Sequence, residues 1–236
     1  SLFIRTSGCN LRCAWAGSDG NGSPCDTPYS SHSPEKNMME TEDVLLIARR
    51  NMDGIKHIVI SGGEPLIQSA AVADLLKYTK HYRIHSTVET NGTKYDPKVS
   101  DNVNLISISP KLSSSTPWEP NLVNTGITYK EKWAIKHEKN RINIKAIQSY
   151  INDCWDVEYM KNEPDVIWKK ERKHPDIKDF QLKFVVAELQ DVIEIEEILE
   201  KLTGFKPSDV ILMPEGVTTE STMEKAQWIA REAIMR

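Results

Sequence analysis

Short apolar strands alternate with amphipathic helices along most of this chain, and a glycine, proline or lysine stands close behind nearly every strand. Strands are expected at 2–7, His57–Ser61, Ile84–Thr90, Val103–Ser109, Gln181–Val186 and Asp209–Met213. Between them, Thr41-Glu42-Asp43 caps a helix whose buried side is Val44, Leu45, Ile47 and Ala48, with Gly54 ending it. A second helix covers 67–80 with Val72, Leu75 and Leu76 inward, a third covers 192–202, and a last runs from Thr219 to the C-terminus. Strands that alternate with helices pair in parallel, because each crossover must return the chain to the same end of the sheet. The residues just after the strands then collect at one rim, where α/β barrels carry their chemistry.

The chain's 236 residues suffice for one α/β domain or at most two small ones. Net charge is −4, so no global basic character suggests a nucleic acid or an anionic membrane surface as partner. No apolar run is long enough to cross a bilayer, and no signal peptide opens the chain. Four cysteines do not make a disulfide framework, which places the chain in a reducing, cytoplasmic setting. The whole of 1–236 reads as a single domain with a Lys/Glu-rich insert around 112–179. That insert holds Trp118, Trp133, Trp155 and Trp168, and one or two helices across 129–160. Its basic run, Lys130, Lys132, Lys136, Lys139, Arg141 and Lys145, reads as a solvated helix face. The histidines (His32, His57, His81, His85, His137, His174) show no ligand spacing.

The segment 8–37 is an irregular loop rich in Gly, Ser, Asn and Pro, and loops of that length inside a compact domain are usually functional. It carries Cys9, Cys13 and Cys25. Three thiolates leave one position open, either on zinc or on one iron of an iron–sulfur cluster. Zinc completed by Cys154 or a histidine, and unliganded thiols, stay open on the cysteines alone, although Cys154 itself reads as a buried small hydrophobe. Gly62-Gly63-Glu64-Pro65 follows the second strand, where glycines permit close backbone approach to a ligand.

The Cys9-x-x-x-Cys13 pair after the first strand, with the Gly-Gly-Glu-Pro turn after the second, resembles the radical S-adenosylmethionine superfamily. The superfamily's usual third cysteine position is Ala16, and Cys25 lies beyond an insert, Gly17 to Pro24. The runs Cys25-Asp26-Thr27-Pro28-Tyr29, Glu89-Thr90-Asn91-Gly92-Thr93, Ser109-Pro110-Lys111, Lys183-Phe184-Val185-Val186 and Leu212-Met213-Pro214-Glu215-Gly216 narrow the resemblance. Together they are similar to the 7-carboxy-7-deazaguanine synthase family, over 2–216.

That resemblance implies an incomplete (β/α) barrel of about six parallel strands. It implies a [4Fe–4S] cluster on Cys9, Cys13 and Cys25, and S-adenosylmethionine held by Gly62, Gly63, Glu64, Asn91, Ser109 and Lys111. Arg5 would pair with the substrate carboxylate, Thr27 would give its hydroxyl to Mg²⁺, and Pro214 would close the far side of the pocket. The implied reaction is rearrangement of 6-carboxy-5,6,7,8-tetrahydropterin to 7-carboxy-7-deazaguanine with loss of ammonia, in 7-deazapurine and queuosine biosynthesis. An electron donor such as flavodoxin and a homodimer come with the family. Members carry a Gln- and Glu-containing, glycine-rich segment ahead of the first strand, so a missing lead-in is expected before Ser1. The rival readings are an activase for a glycyl-radical protein and a non-catalytic metal or iron–sulfur protein.

Overall fold

A computed structural model describes residues 1–17, 20–155 and 178–235. Six strands form one parallel sheet: β1 (Leu2–Thr6), β4 (His57–Gly62), β5 (His85–Thr90), β6 (Leu105–Ile108), β7 (Asp179–Val186) and β8 (Val210–Pro214). Their order in the sheet is their order in the chain. Among the described residues β1 and β8 do not pair, so the sheet is an open curve and the expected incomplete (β/α) barrel of about six parallel strands is what forms.

The pleat explains which residues meet inside the curve. In β7, Phe180, Leu182, Phe184 and Val186 are buried, and the residues between them are only partly so. Successive side chains point to opposite faces, so Gln181, Lys183 and Val185 share the other side. Register then builds rows across strands: Arg5 lies opposite Ser61, Glu89 opposite Ser107, Ser107 opposite Gln181, and Val185 opposite Met213. Branched residues such as Ile58, Val59, Ile60, Ile106 and Ile108 suit strands whose two faces are both covered.

Seven α-helices accompany the sheet among the described residues. They are α1 (Thr41–Arg50), α2 (Ser69–His81), α3 (Pro97–Ser100), α4 (Glu131–Asn140), α5 (Ile144–Asp153), α6 (Leu189–Leu199) and α7 (Thr219–Met235). Val72, Leu75 and Leu76 of α2, Ile147 and Ile151 of α5, and Ile195 and Ile198 of α6 join the strand residues in one main core. None of these helices is long and apolar enough to cross a membrane.

Three local expectations need correction. The N-cap of α1 is Glu40, and Thr41 is already helical. Only Ala48 of that helix is buried, whereas Ile47 is exposed, and the helix ends at Arg50, ahead of Gly54. The loop 8–37 also contains a hairpin, β2 (Ala14–Ala16) with β3 (Gly22–Pro24), whose three-residue strands are too short to show an alternating pattern. Arg141 is not on a solvated face: it is half-buried, donating to Glu138 and Glu194 and to the carbonyl of Lys111. The remaining lysines of that run are exposed. Two helices, α4 and α5, lie within 129–160, while Trp168 and His174 fall outside the described residues.

Candidate active site

A cavity of about 340 Å³ opens at the C-terminal ends of the strands. Cys9, Cys13 and Cys25 all line it, together with Arg5, Thr27, Gly62, Gly63, Asn91, Ser109, Lys111 and Pro214. Residues spread over more than 200 positions of sequence are thus brought to one wall by the parallel topology. Of the anticipated site residues, Glu64 alone is absent from the lining.

The cysteine segment is held by its backbone. The N–H of Cys25 donates to the Cys13 carbonyl at 3.0 Å, so the hairpin insert returns its thiol beside the other two. The N–H of Leu11 donates to Cys9 Sγ at 3.4 Å. Cys25 Sγ is 3.4 Å from Thr27 Oγ1, and the Thr27 carbonyl accepts from both N–H and hydroxyl groups of Ser30 and Ser31. Burial pushes the thiols of Cys9 and Cys13 upward, with Lys111 pulling Cys13 the other way. A metal or cluster bound there would have to displace their protons.

The Gly-Gly-Glu-Pro turn is packed against the cysteine segment. Gly63 N–H donates to the Thr6 carbonyl and Glu64 N–H to the Gly8 carbonyl. A Cβ on Gly63 would stand 2.3 Å from the Gly8 oxygen and 2.5 Å from the Ser30 oxygen, so only glycine fits. Gly62, at φ +150°, has the Thr6 oxygen 2.2 Å from where its Cβ would be. Glu64 sits outside the cavity lining. Its carboxylate is fully buried and accepts from Leu66 N–H, Thr90 Oγ1 and Asn91 N–H. These bonds tie the turn after β4 to the turn after β5. Burial raises its pKa, and the three donors oppose that rise.

Around the rim, Lys111 Nζ donates to Ser109 Oγ at 2.8 Å. Asn91 donates to Asn10 and accepts from Thr93, which locks its side chain at the cavity edge. Arg5 is exposed, its guanidinium carbon 5.9 Å from the centre of the Tyr29 ring. Pro214 ends β8, and Glu215 N–H donates to the Val186 carbonyl.

The cavity also holds residues to which sequence reasoning gave no role. Ser61 donates to Glu89 at 2.7 Å, and Lys183 lies 3.7 Å from the other Glu89 oxygen, so a charged pair spans the middle of the inner face. Glu89 and Lys183 stand inside the runs that carry the resemblance, and strand alternation alone points both inward. Trp15 packs with Leu11 and Cys13 on the same wall.

The donor set fits a three-thiolate cluster with one open iron. Cys154, the alternative fourth ligand, is buried in the main core with its thiol donating to Tyr150, apart from the small core around Cys9, Cys13 and Cys25. Among the described residues no group of three or more Cys, His, Asp or Glu side chains is arranged around a single metal ion. The space beside the three thiols and the glycine turn that no Cβ could enter suit a cluster with an organic ligand.

Comparison with known proteins agrees. The radical SAM superfamily matches residues 3–112, and that superfamily implies a [4Fe–4S] cluster and S-adenosylmethionine. The chain is 34% identical over 223 residues to the 7-carboxy-7-deazaguanine synthase of Halobacterium salinarum, covering 92% of this chain and 70% of the relative. It is 33% identical over 236 residues to that of Rhodopirellula baltica, covering 100% and 74%. The crystal structure of QueE from Escherichia coli superposes with a TM-score of 0.53 at 21% identity, over 98% of this chain and 81% of that one. Streptococcus suis SuiB bound to S-adenosylmethionine gives 0.54 at 13% identity, over 100% of this chain and 47% of that one. At those identities the two structures speak for the fold, and the two curated relatives for the family. The chain is an enzyme that belongs to the 7-carboxy-7-deazaguanine synthase family of the radical SAM superfamily.

Proposed function

We propose that the enzyme converts 6-carboxy-5,6,7,8-tetrahydropterin to 7-carboxy-7-deazaguanine with loss of ammonia, as a step of queuosine or 7-deazapurine biosynthesis. One observation carries this reading: the three thiols, the glycine turn, the Ser109–Lys111 pair, Arg5 and Thr27 all line one cavity. Cys9, Cys13 and Cys25 would hold the cluster, and Gly62, Gly63, Glu64, Asn91, Ser109 and Lys111 would hold S-adenosylmethionine. When bound, these two cofactors together supply hydrogen-atom abstraction after one-electron reduction.

The chain's own residues supply position. Arg5 offers two parallel N–H donors to a carboxylate, with the Tyr29 ring centre 5.9 Å from its guanidinium carbon. Thr27 presents a hydroxyl beside Cys25, on a backbone fixed by four hydrogen bonds, for a Mg²⁺ shared with substrate. Glu89 and Lys183 face the polar edge of the pterin from the sheet, and Pro214 with Glu215 closes the far wall. A reduced donor such as flavodoxin, a homodimer and a cytoplasmic location complete the proposal on the family resemblance alone.

The test is product analysis under anaerobic, reducing conditions with the carboxylated tetrahydropterin. Appearance of 7-carboxy-7-deazaguanine and ammonia in equal amounts supports the reading. A reduced cluster whose spectrum S-adenosylmethionine does not perturb would sink it. Cys25→Ala checks the ligand set: a full four-iron cluster in that variant removes Cys25 from it.

A further inference from the structure

The insert helix α4 reaches the cysteine segment through two residues one turn apart, Trp133 and His137. His137 is 1% exposed, and its Nδ1 lies 3.2 Å from the backbone nitrogen of Arg12, the residue before Cys13. Its Nε2 lies 3.3 Å from Ser115 Oγ. Ser115 spends its single hydroxyl hydrogen on the Leu112 carbonyl, at 2.7 Å. Ser115 Oγ therefore accepts, Nε2 carries the ring proton, and Nδ1 is left as an acceptor for Arg12 N–H. The bonds run in one direction, from the cysteine segment through His137 and Ser115 to the loop behind Lys111.

The side chain of Arg12 is held from the same helix. Its guanidinium carbon sits 4.8 Å from the centre of the Trp133 ring. The same guanidinium turns back to donate to the carbonyls of Cys9 and Leu11, each at 2.7 Å. A third grip comes from His32, whose Nε2 is 3.2 Å from the Cys13 carbonyl and whose ring stacks on Tyr129, just ahead of α4. Burial lowers the pKa of His137 to about 4, so its ring is neutral and its acceptor is free at physiological pH. No charge-bearing role remains for it.

We propose that His137, together with Trp133, is a positioning residue that holds the Cys9–Cys13 segment in the shape that presents its thiols to the cluster. The inference rests on the assignment of Cys9, Cys13 and Cys25 as cluster ligands. Part of the 112–179 insert thereby acts as a clamp on the cofactor loop, applied from outside the barrel.

The experiment uses the full chain, anaerobically reconstituted, and compares wild type with His137→Phe and His137→Asn. Iron loss to a chelator and the electron paramagnetic resonance signal of the reduced cluster are read together. Phe keeps the ring volume and removes the acceptor; Asn loses volume but keeps an acceptor close to the Nδ1 position. His137→Phe is expected to lose iron about ten-fold faster, as fits an unpaired buried backbone donor, with a shifted or broadened signal. His137→Asn is expected to stay within about two-fold of wild type, since its acceptor is retained. A residue that merely packs predicts the reverse order. Iron retention in His137→Phe equal to wild type, or loss from His137→Asn at least as fast, overturns the proposal. Should His137→Phe not fold, His137→Leu removes the same acceptor with a smaller side chain and must also speed iron loss; wild-type retention in that variant overturns it equally. Failure of the wild-type chain to take up four iron atoms is a different result, and it defeats the cluster assignment itself.

Discussion

Glu64 Oε2 accepts the backbone N–H of Asn91 at 2.7 Å, so one buried carboxylate ties the turn after β4 to the turn after β5. Its other oxygen accepts from Thr90 and Leu66. Glu64→Gln sets an amide NH₂ against at least one of these donors. The expected loss is about 1–3 kcal/mol, the cost of leaving buried partners unpaired. Urea unfolding measures it, and an unchanged midpoint would contradict the bracing role.

Gly63 is wedged between the backbone oxygens of Gly8 and Ser30. Neither is the end of a flexible side chain, so Gly63→Ala must move the cysteine segment or the turn. Overpacking of this kind costs about 1–3 kcal/mol. S-adenosylmethionine affinity, measured by equilibrium dialysis on the reconstituted enzyme, should fall by about ten-fold or more on the 1.4 kcal/mol-per-decade scale. Wild-type affinity would show that the backbone there yields cheaply.

Arg5→Lys keeps the charge and loses the fork. The carboxylated substrate should then show a KM raised by roughly ten-fold or more, with kcat much less changed, because the lost contact exists equally in ground and transition states. Steady-state kinetics decide, and an unchanged KM would move the carboxylate elsewhere.

Lys225 on α7 pairs with Glu215 on the cavity wall, their side chains 13% and 7% exposed. Lys225→Met leaves the Glu215 carboxylate buried without its partner, at a cost of about 2–4 kcal/mol. Adding Glu215→Gln should recover part of that loss, and a double-mutant cycle measures the coupling. Strict additivity of the two changes would remove the pair as the latch between α7 and the pocket.

His137 is buried neutral, with its pKa lowered from 6.5 to about 4 by desolvation. Below pH 6.5 the unfolded chain binds a proton that the folded chain refuses, so stability falls with falling pH until about pH 4. Melting temperatures from pH 7 to pH 5 should drop more steeply in wild type than in His137→Asn. Parallel curves would mean that the ring protonates without cost.

Much of this was legible because it depends on pattern. The alternation of strands and helices fixes the parallel sheet, and the residues after the strands then fall on one rim wherever the register places them. Cys25 was legible in the same way, since the polar insert before it offered a return path to Cys9 and Cys13. The hairpin that makes that return was not, because Ala-Trp-Ala and Gly-Ser-Pro are too short to show a strand's alternation and are held by pairing to each other. Glu64 shows a different limit. Its presence in the turn is plain, but that its carboxylate accepts from two backbone N–H groups and the Thr90 hydroxyl depends on where Asn91 and Thr90 arrive in space. His137 and Arg141 were hidden for a related reason: one looked like a stray histidine and the other like part of a solvated charge run. Both find their partners, Arg12 and Glu194, far away in sequence.

The strand order has a consequence for how such an enzyme can change its trade. Because the sheet is laid down in chain order, every residue proposed to hold the cofactors precedes Leu112, the end of the span shared with the superfamily. The far wall belongs to β7, β8 and the turn behind them. Lineages that keep the first four rungs and rewrite the last two can inherit the same radical source while shaping a new berth for a different molecule.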